Sequence, residues 1–142
     1  MIREVCAARD RRLAYVRARK KADKGDIVIC DRFPLPRRIV TDGPQLEWMA
    51  KAYPGKRFIG SLGRREGKYY RSILPPDLLV VLRVNPETAV MRKTDEKPVP
   101  VRARSKEFWD QEWEGAAVQT IDANQSKEDV LARAKDIFWA HI

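Results

Sequence analysis

The apolar residues of this chain form short continuous runs, separated by stretches in which they recur every three or four positions. The run Ile27–Cys30 follows a Gly25-Asp26 turn and is mostly β-branched. A short apolar run bounded by turn signals is typical of a strand buried on both faces of a parallel sheet. The runs at 77–84 and 118–123 predict two further strands.

Helical spacing predicts the segments between these strands. Residues 2–24 predict a long helix that ends at Gly25. The sequence Asn85-Pro86-Glu87 predicts the start of a helix, and this helix is expected to run to about residue 93. Ser126 begins a last helix in a capping arrangement. Weaker patterns predict short helices at 46–52, 64–73 and 108–113, and irregular stretches at 34–44 and 55–63. Alternating strands and helices predict an α/β fold with a parallel sheet and flanking helices.

Length and composition favour one soluble domain over residues 1–142. No apolar run approaches the ~20 residues of a membrane span, and no signal peptide is visible, so we expect a cytoplasmic protein without a membrane partner. Cys6 and Cys30 fit no metal spacing and are expected to be buried thiols. The net charge of +9 favours an anionic partner, either a nucleotide phosphate or a nucleic acid. The alternative is that this charge serves solubility alone.

Asp31 and Arg32 follow the first predicted strand, and Pro34 and Pro36 prevent that strand from continuing. In open parallel sheets, ligands bind beyond the carboxyl ends of the strands. An acid beside a base at this position suits a bound phosphate and its metal. The alternative is a surface ion pair that closes the strand, and the position alone does not decide between them.

Three other groups of residues are candidates for chemistry or core packing. Residues 92–106 form the most basic predicted loop, suited either to closing over transferring phosphates or to lying solvated at the surface. Arg9 and Arg11 on the first helix point either at a phosphate or base, or at solvent. Aromatic residues at helical spacing usually belong to a core, and this is expected of Trp109, Trp113 and Trp139.

The glycines of the chain form no phosphate-binding loop. None of the seven pairs at the spacing G-x-x-x-x-G with a following Lys-Ser or Lys-Thr. The sequence therefore lacks the loop that cradles ATP phosphates in P-loop phosphotransferases.

Several segments, taken in order, resemble the thymidylate-kinase-like branch of P-loop nucleotide kinases. Asp31-Arg32-Phe33 resembles that family's Asp-Arg-aromatic motif after its third strand, and Ala7-Ala8-Arg9 resembles the upstream helix whose arginine holds the monophosphate. The remaining similar segments are 75–84 with 85–87, the basic stretch 92–106, and 121–123 with 126–130.

The resemblance implies a P-loop NTPase-like fold and ATP-dependent phosphorylation of a nucleoside monophosphate, with dTMP as the expected acceptor. It implies Mg²⁺ and ATP as cofactors, with Asp31 acting at the metal, directly or through water, or on the acceptor side. The implied roles are catalytic for Asp31, Arg102 and Arg104, substrate-binding for Arg9, Arg11, Arg32 and Phe33, and lid bases for Arg92 and Lys93.

The chain departs from that family at its front, because the family's first strand, P-loop, first helix and second strand would precede residue 1. We therefore expect a partial kinase-like domain, N-terminally truncated, with weak or no activity alone. Two apolar strands would lose a shared neighbour, so they pair directly, or missing residues or a partner such as a second copy fill the gap. The alternatives are a non-catalytic module that keeps the acceptor-phosphate half and, less favoured, a basic nucleic-acid-binding domain.

Overall fold

The computed structural model describes residues 1–34, 43–53, 55–113, 115 and 117–142. Within these ranges the chain forms six helices and a two-stranded parallel sheet, so the mixed α/β class is confirmed. The chain divides into two compact units, Met1–Pro75 and Pro76–Ile142. Most of the loop predicted at 34–44 lies outside the described residues. The partial kinase-like domain expected over residues 1–142 stays a prediction.

The first unit contains three helices: α1 (Ile2–Ala22), α2 (Gln45–Ala52) and α3 (Arg57–Arg71). After α1, Gly25 has a φ of 91°, a left-handed conformation that glycine adopts without strain. The buried cluster of this unit joins α1 to the end of α3. It consists of Ala8, Tyr70 and Ile73, with Tyr15, Phe33 and Tyr69 packed against it.

α3 begins at Arg57, so the irregular stretch predicted over 55–63 is mostly helical. Gly63, the last glycine of this stretch, serves packing instead of a loop. A Cβ at Gly63 would lie 2.8 Å from the carbonyl oxygen of Leu46 on α2. The missing side chain therefore allows the two helices to approach closely, and Leu46 is 1% exposed.

The strand predicted at Ile27–Cys30 does not form, and this prediction is wrong. The segment is exposed, with Ile27 at 59%, Val28 at 36% and Ile29 at 84% of full exposure. Among the described residues, no backbone hydrogen bond pairs it with another segment. An apolar run becomes a strand only when a neighbour satisfies its backbone N–H and C=O groups, and no described segment does so.

The second unit contains the sheet, whose strands β1 (Leu79–Arg83) and β2 (Val118–Asp122) pair in parallel from Leu79 opposite Val118 to Arg83 opposite Asp122. Both strands were predicted. Val81 and Ile121 are each 4% exposed. Ile121 pairs with Leu82, the neighbour of Val81 in β1, and successive residues of a strand point to opposite faces. Val81 and Ile121 therefore lie on opposite faces of the sheet.

Three helices accompany the sheet: α4 (Pro86–Arg92), α5 (Pro98–Asp110) and α6 (Lys127–His141). α5 packs against β1 and α6 against β2. The two predicted caps are confirmed, because the side chains of Asn85 and Ser126 accept hydrogen bonds from the backbone N–H of Glu87 and Asp129.

The basic stretch 92–106 is not one loop, since only residues 93–97 connect α4 to α5. Pro98 lies in the first turn of α5. At this position the backbone N–H that proline lacks would have no partner within the helix, and the fixed φ of proline suits the helix. Pro98 and Pro100 therefore both lie at the start of a helix.

Some burial predictions are also wrong. Cys6 and Cys30 are free and exposed. Trp139 is 69% exposed, whereas Trp109 and Trp113 are half-buried. Among the described residues, no helix is both long and apolar enough to cross a membrane.

Candidate functional site

Phe33 brings the candidate Asp31-Arg32 pair to the surface of α1. Its ring lies edge-on to that of Tyr15, with centroids 6.5 Å apart, and packs against the cluster that contains Ala8. Ala8 directly precedes Arg9, one of the predicted substrate-binding residues. An aromatic anchor thus fixes the chain next to the helix that carries the candidate arginines.

Two arginines of α1 are held by the end of α3. The Arg11 guanidinium donates to the Tyr70 hydroxyl at 2.6 Å, and Arg12 Nε donates to Ser72 Oγ at 2.6 Å. Tyr70 is 2% exposed, so its hydroxyl is a fixed acceptor. These contacts place the Arg11 side chain against the same cluster that receives Phe33, whereas Arg9 is exposed and pairs only loosely with Asp10 at 3.3 Å.

Asp31 and Arg32 are exposed, and neither side chain hydrogen bonds or pairs with another described residue. Arg32 has a φ of 54°, and within the described ranges no other non-glycine residue has a positive φ. The left-handed conformation costs a residue with a Cβ about 1–2 kcal/mol. Such conformations cluster at binding and catalytic sites, where the surrounding structure holds them.

The described residues contain no group of three or more His, Cys, Asp or Glu side chains that could enclose a metal ion. Mg²⁺ is usually bound by one or two carboxylates together with water and substrate phosphates. The exposed Asp31 carboxylate suits such an open arrangement. Its role toward Mg²⁺, and the binding of ATP, stay predictions.

Arg92, a predicted lid base, lies in the second unit as the last residue of α4. Its guanidinium donates to the carbonyl oxygens of Ala123, Asn124 and Gln125 at 2.6, 2.9 and 3.0 Å. These carbonyls follow β2 and precede α6. In this arrangement Arg92 holds a connection, and its guanidinium faces backbone oxygens.

The other three predicted phosphate-binding bases of the second unit form ion pairs with glutamates. Arg102 donates to both carboxylate oxygens of Glu87 at 2.7 Å. This bond lowers the pKa of Glu87 and raises the pKa of Arg102. Lys93 and Arg104 share Glu96, and the Lys93 and Arg104 hydrogen bonds lower the pKa of that carboxyl. To bind a phosphate, these three basic side chains would have to break their ion pairs with the glutamates.

Tyr70, Ser72 and Glu66 also shape these contacts, although the sequence pattern does not mark them as functional residues. Glu66 on α3 is 1% exposed and accepts hydrogen bonds from the backbone N–H of Gln45, Leu46 and Glu47, at 3.1, 2.7 and 3.1 Å. Burial raises the pKa of Glu66, and the three backbone donors oppose that rise. No local signal marks these partners, because each acts on a helix distant in sequence.

Comparisons with known proteins place no further constraint on this site. No protein family, curated protein or solved structure matches the chain.

Proposed function

We propose that this chain binds a nucleoside monophosphate, with dTMP as the expected ligand, at the surface formed by α1 and the segment 31–33. It would supply the acceptor half of a thymidylate-kinase-like phosphotransferase. The observation that carries this proposal is Arg32, an exposed arginine held at positive φ directly beside the half-buried anchor Phe33.

Charge and geometry give this surface its chemistry. Arg32 offers a guanidinium with no carboxylate partner among the described residues, and a planar guanidinium can bind two oxygens of a phosphate at once. Arg11 is held by Tyr70 against the cluster that receives Phe33, and Arg9 lies on the exposed side of the same helix. Arg32 is the expected primary phosphate ligand, with Arg9 and Arg11 adding positive charge.

Calorimetric titration with dTMP and with thymidine tests this proposal. We expect dTMP to bind and thymidine to bind far more weakly, because the phosphate supplies the charge-assisted hydrogen bonds. Arg32→Ala should weaken dTMP binding about 10- to 100-fold, since hydrogen bonds to charged groups contribute about 1.5–3 kcal/mol. The control is Arg3→Ala, which removes the same charge from a side chain that is 91% exposed and pairs with Glu4.

Arg32→Gly separates the side chain from the strained backbone. Glycine accepts a φ of 54° without steric cost, so this variant should gain about 1 kcal/mol of stability and still lose dTMP binding. Equal affinity of thymidine and dTMP, or full binding by both Arg32 variants, would contradict the proposal.

Phosphoryl transfer is the second part of the proposal. The sequence offers no loop for the ATP phosphates, so we expect the purified chain to bind dTMP without converting it to dTDP in the presence of ATP and Mg²⁺. Robust dTDP formation would contradict this expectation. Absence of dTMP binding, together with DNA or RNA affinity that falls steeply with salt, would favour the nucleic-acid alternative.

A further inference from the structure

Residues 26–32 form an exposed apolar segment with charged ends. Ile27, Val28 and Ile29 are all exposed, and Ile29 is the most exposed of them at 84%. Asp26 lies at one end, and Asp31 and Arg32 at the other. Apart from Asp26 N–H, which donates to Lys21, the backbone of this segment makes no backbone hydrogen bond within the described ranges.

We propose that this segment is a self-association surface, on which the same segment of a second copy pairs as an antiparallel strand centred on Ile29. In this register, Val28 lies opposite the partner's Cys30 and Ile29 lies on the two-fold axis. β-branched residues favour such pairing, and each strand supplies the donors and acceptors that the other lacks. The proposal does not depend on nucleotide binding.

The charges at the two ends select this register. In this pairing Arg32 exchanges its left-handed φ of 54° for an extended one. Centring on Ile29 then places Asp26 opposite the partner's Arg32, and the two-fold axis repeats this ion pair at the other end. Opposite charges that face each other across a strand pair are favourable, and like charges are unfavourable. A closed two-fold contact also uses the same patch on both copies, which limits further growth.

Two alternative arrangements are disfavoured by the same residues. A shift by one residue, to a centre between Val28 and Ile29, places Asp26 opposite the partner's Asp31. An in-register parallel pairing places Asp31 against Asp31 and Arg32 against Arg32. Both arrangements bring like charges together. The charged residues therefore disfavour these two arrangements and favour the proposed register.

Pairing of two such short strands is weak, because isolated two-stranded arrangements are only marginally stable in water. The dimer should therefore appear as a concentration-dependent equilibrium in sedimentation. The buffer must be free of phosphate and nucleotide, since Arg32 is also the proposed phosphate ligand.

Engineered cysteines test the register directly. In a Cys6→Ala background, Val28→Cys places a thiol opposite the partner's Cys30 and should give a disulfide-linked dimer under mild oxidation. Ile27→Cys in the same background is the matched control, because its thiol faces the partner's Asp31 in the proposed register. Faster cross-linking through residue 27 than through residue 28 would overturn the register, since residue 27 faces Cys30 only in the shifted pairing.

Charge reversal tests the same surface without cysteine chemistry. Asp26→Arg and Arg32→Asp should each weaken the dimer about tenfold, because each replaces two surface ion pairs by two repulsions. The double variant Asp26→Arg with Arg32→Asp re-forms both pairs with exchanged signs and should restore dimerisation. A chain that stays monomeric throughout the concentration series, or a double variant as weak as the single ones, would overturn the proposal.

Discussion

At the scale of single residues, two glycines of α3 show how neighbouring structure decides the effect of a methyl group. A Cβ at Gly63 would lie 2.8 Å from the Leu46 carbonyl oxygen and 3.1 Å from the Glu47 Cα, both on the backbone of α2. A Cβ at Gly60 would meet only the end of the Arg64 side chain, at 3.6 Å. Gly63 is therefore required for helix packing, whereas Gly60 is not.

We expect Gly63→Ala to destabilise the protein by about 1–3 kcal/mol, because α2 must move away from α3. Gly60→Ala, the matched control, should instead stabilise it by up to about 1 kcal/mol through helix propensity. Urea unfolding followed by tryptophan fluorescence measures both effects. Stabilisation by both substitutions would show that α2 does not approach α3 as closely as the structure has it.

At the scale of secondary-structure elements, α2 depends on a side chain from another helix. Its N-cap is Pro44, which provides no side-chain acceptor. Glu66 on α3 acts as the cap instead, because its carboxylate accepts hydrogen bonds from the first three N–H groups of α2. A buried carboxylate thus both caps α2 and fastens it to α3.

Removal of this cap should affect α2 first. We expect Glu66→Ala to lower the free energy of unfolding by about 2–3 kcal/mol, because it removes the carboxylate that accepts from the N–H groups of Leu46 and Glu47. The control Glu112→Ala removes an exposed carboxylate and should change stability by less than about 0.5 kcal/mol. Hydrogen exchange should show the loss of protection concentrated in residues 45–52. Uniform loss across the chain would argue against a capping role.

Elements formed by local interactions could be predicted from the sequence, whereas elements that depend on contacts distant in sequence could not. The caps at Asn85 and Ser126 and the strands β1 and β2 could be predicted because their signals are local or their partners are present. The start of α3 could not, since the glycine at position 63 is explained only by the close approach of α2. Ile27–Cys30 has the composition of a strand, but a strand also needs a neighbour, and sequence pattern alone does not supply one.

The candidate site was predictable to a similar extent. Phe33 packs against the cluster whose Tyr70 accepts a hydrogen bond from Arg11, so two residues named as substrate-binding lie close to one cluster, and their substrate-binding roles stay predictions. Arg92 was named for its charge, yet its contacts are backbone carbonyls of the 123–125 connection. Charge along a sequence indicates what a residue can bind, and only the fold shows what it does bind.

At the scale of the whole molecule, the two units carry carboxyls that titrate in opposite directions. In the first unit, burial raises the pKa of Glu66. In the second, Arg102 lowers the pKa of Glu87, and Lys93 and Arg104 lower the pKa of Glu96. Because a shifted pKa makes folding stability depend on pH, acid should affect the two units differently.

The sign of each effect follows from which state binds the proton more tightly. A raised pKa means that the folded first unit takes up its proton before the unfolded chain does. Its stability should therefore rise as the pH falls through the raised pKa of Glu66 toward the ordinary value of 4.5. The stability that Glu87 and Glu96 contribute to the second unit is present above 4.5 and is lost as the pH falls through their lowered pKa values.

Hydrogen exchange at a series of pH values, corrected for the intrinsic exchange rate, can measure both units in the intact chain. Between neutral pH and about pH 4.5, protection of α2 and α3 should increase, while that of α4 and α5 stays constant and decreases only below this range. Glu66→Gln keeps one carbonyl acceptor and cannot titrate, so it should abolish the rise in the first unit and leave the second unchanged. A rise that persists in Glu66→Gln would assign it to another group, and a fall in the wild type would contradict the raised pKa.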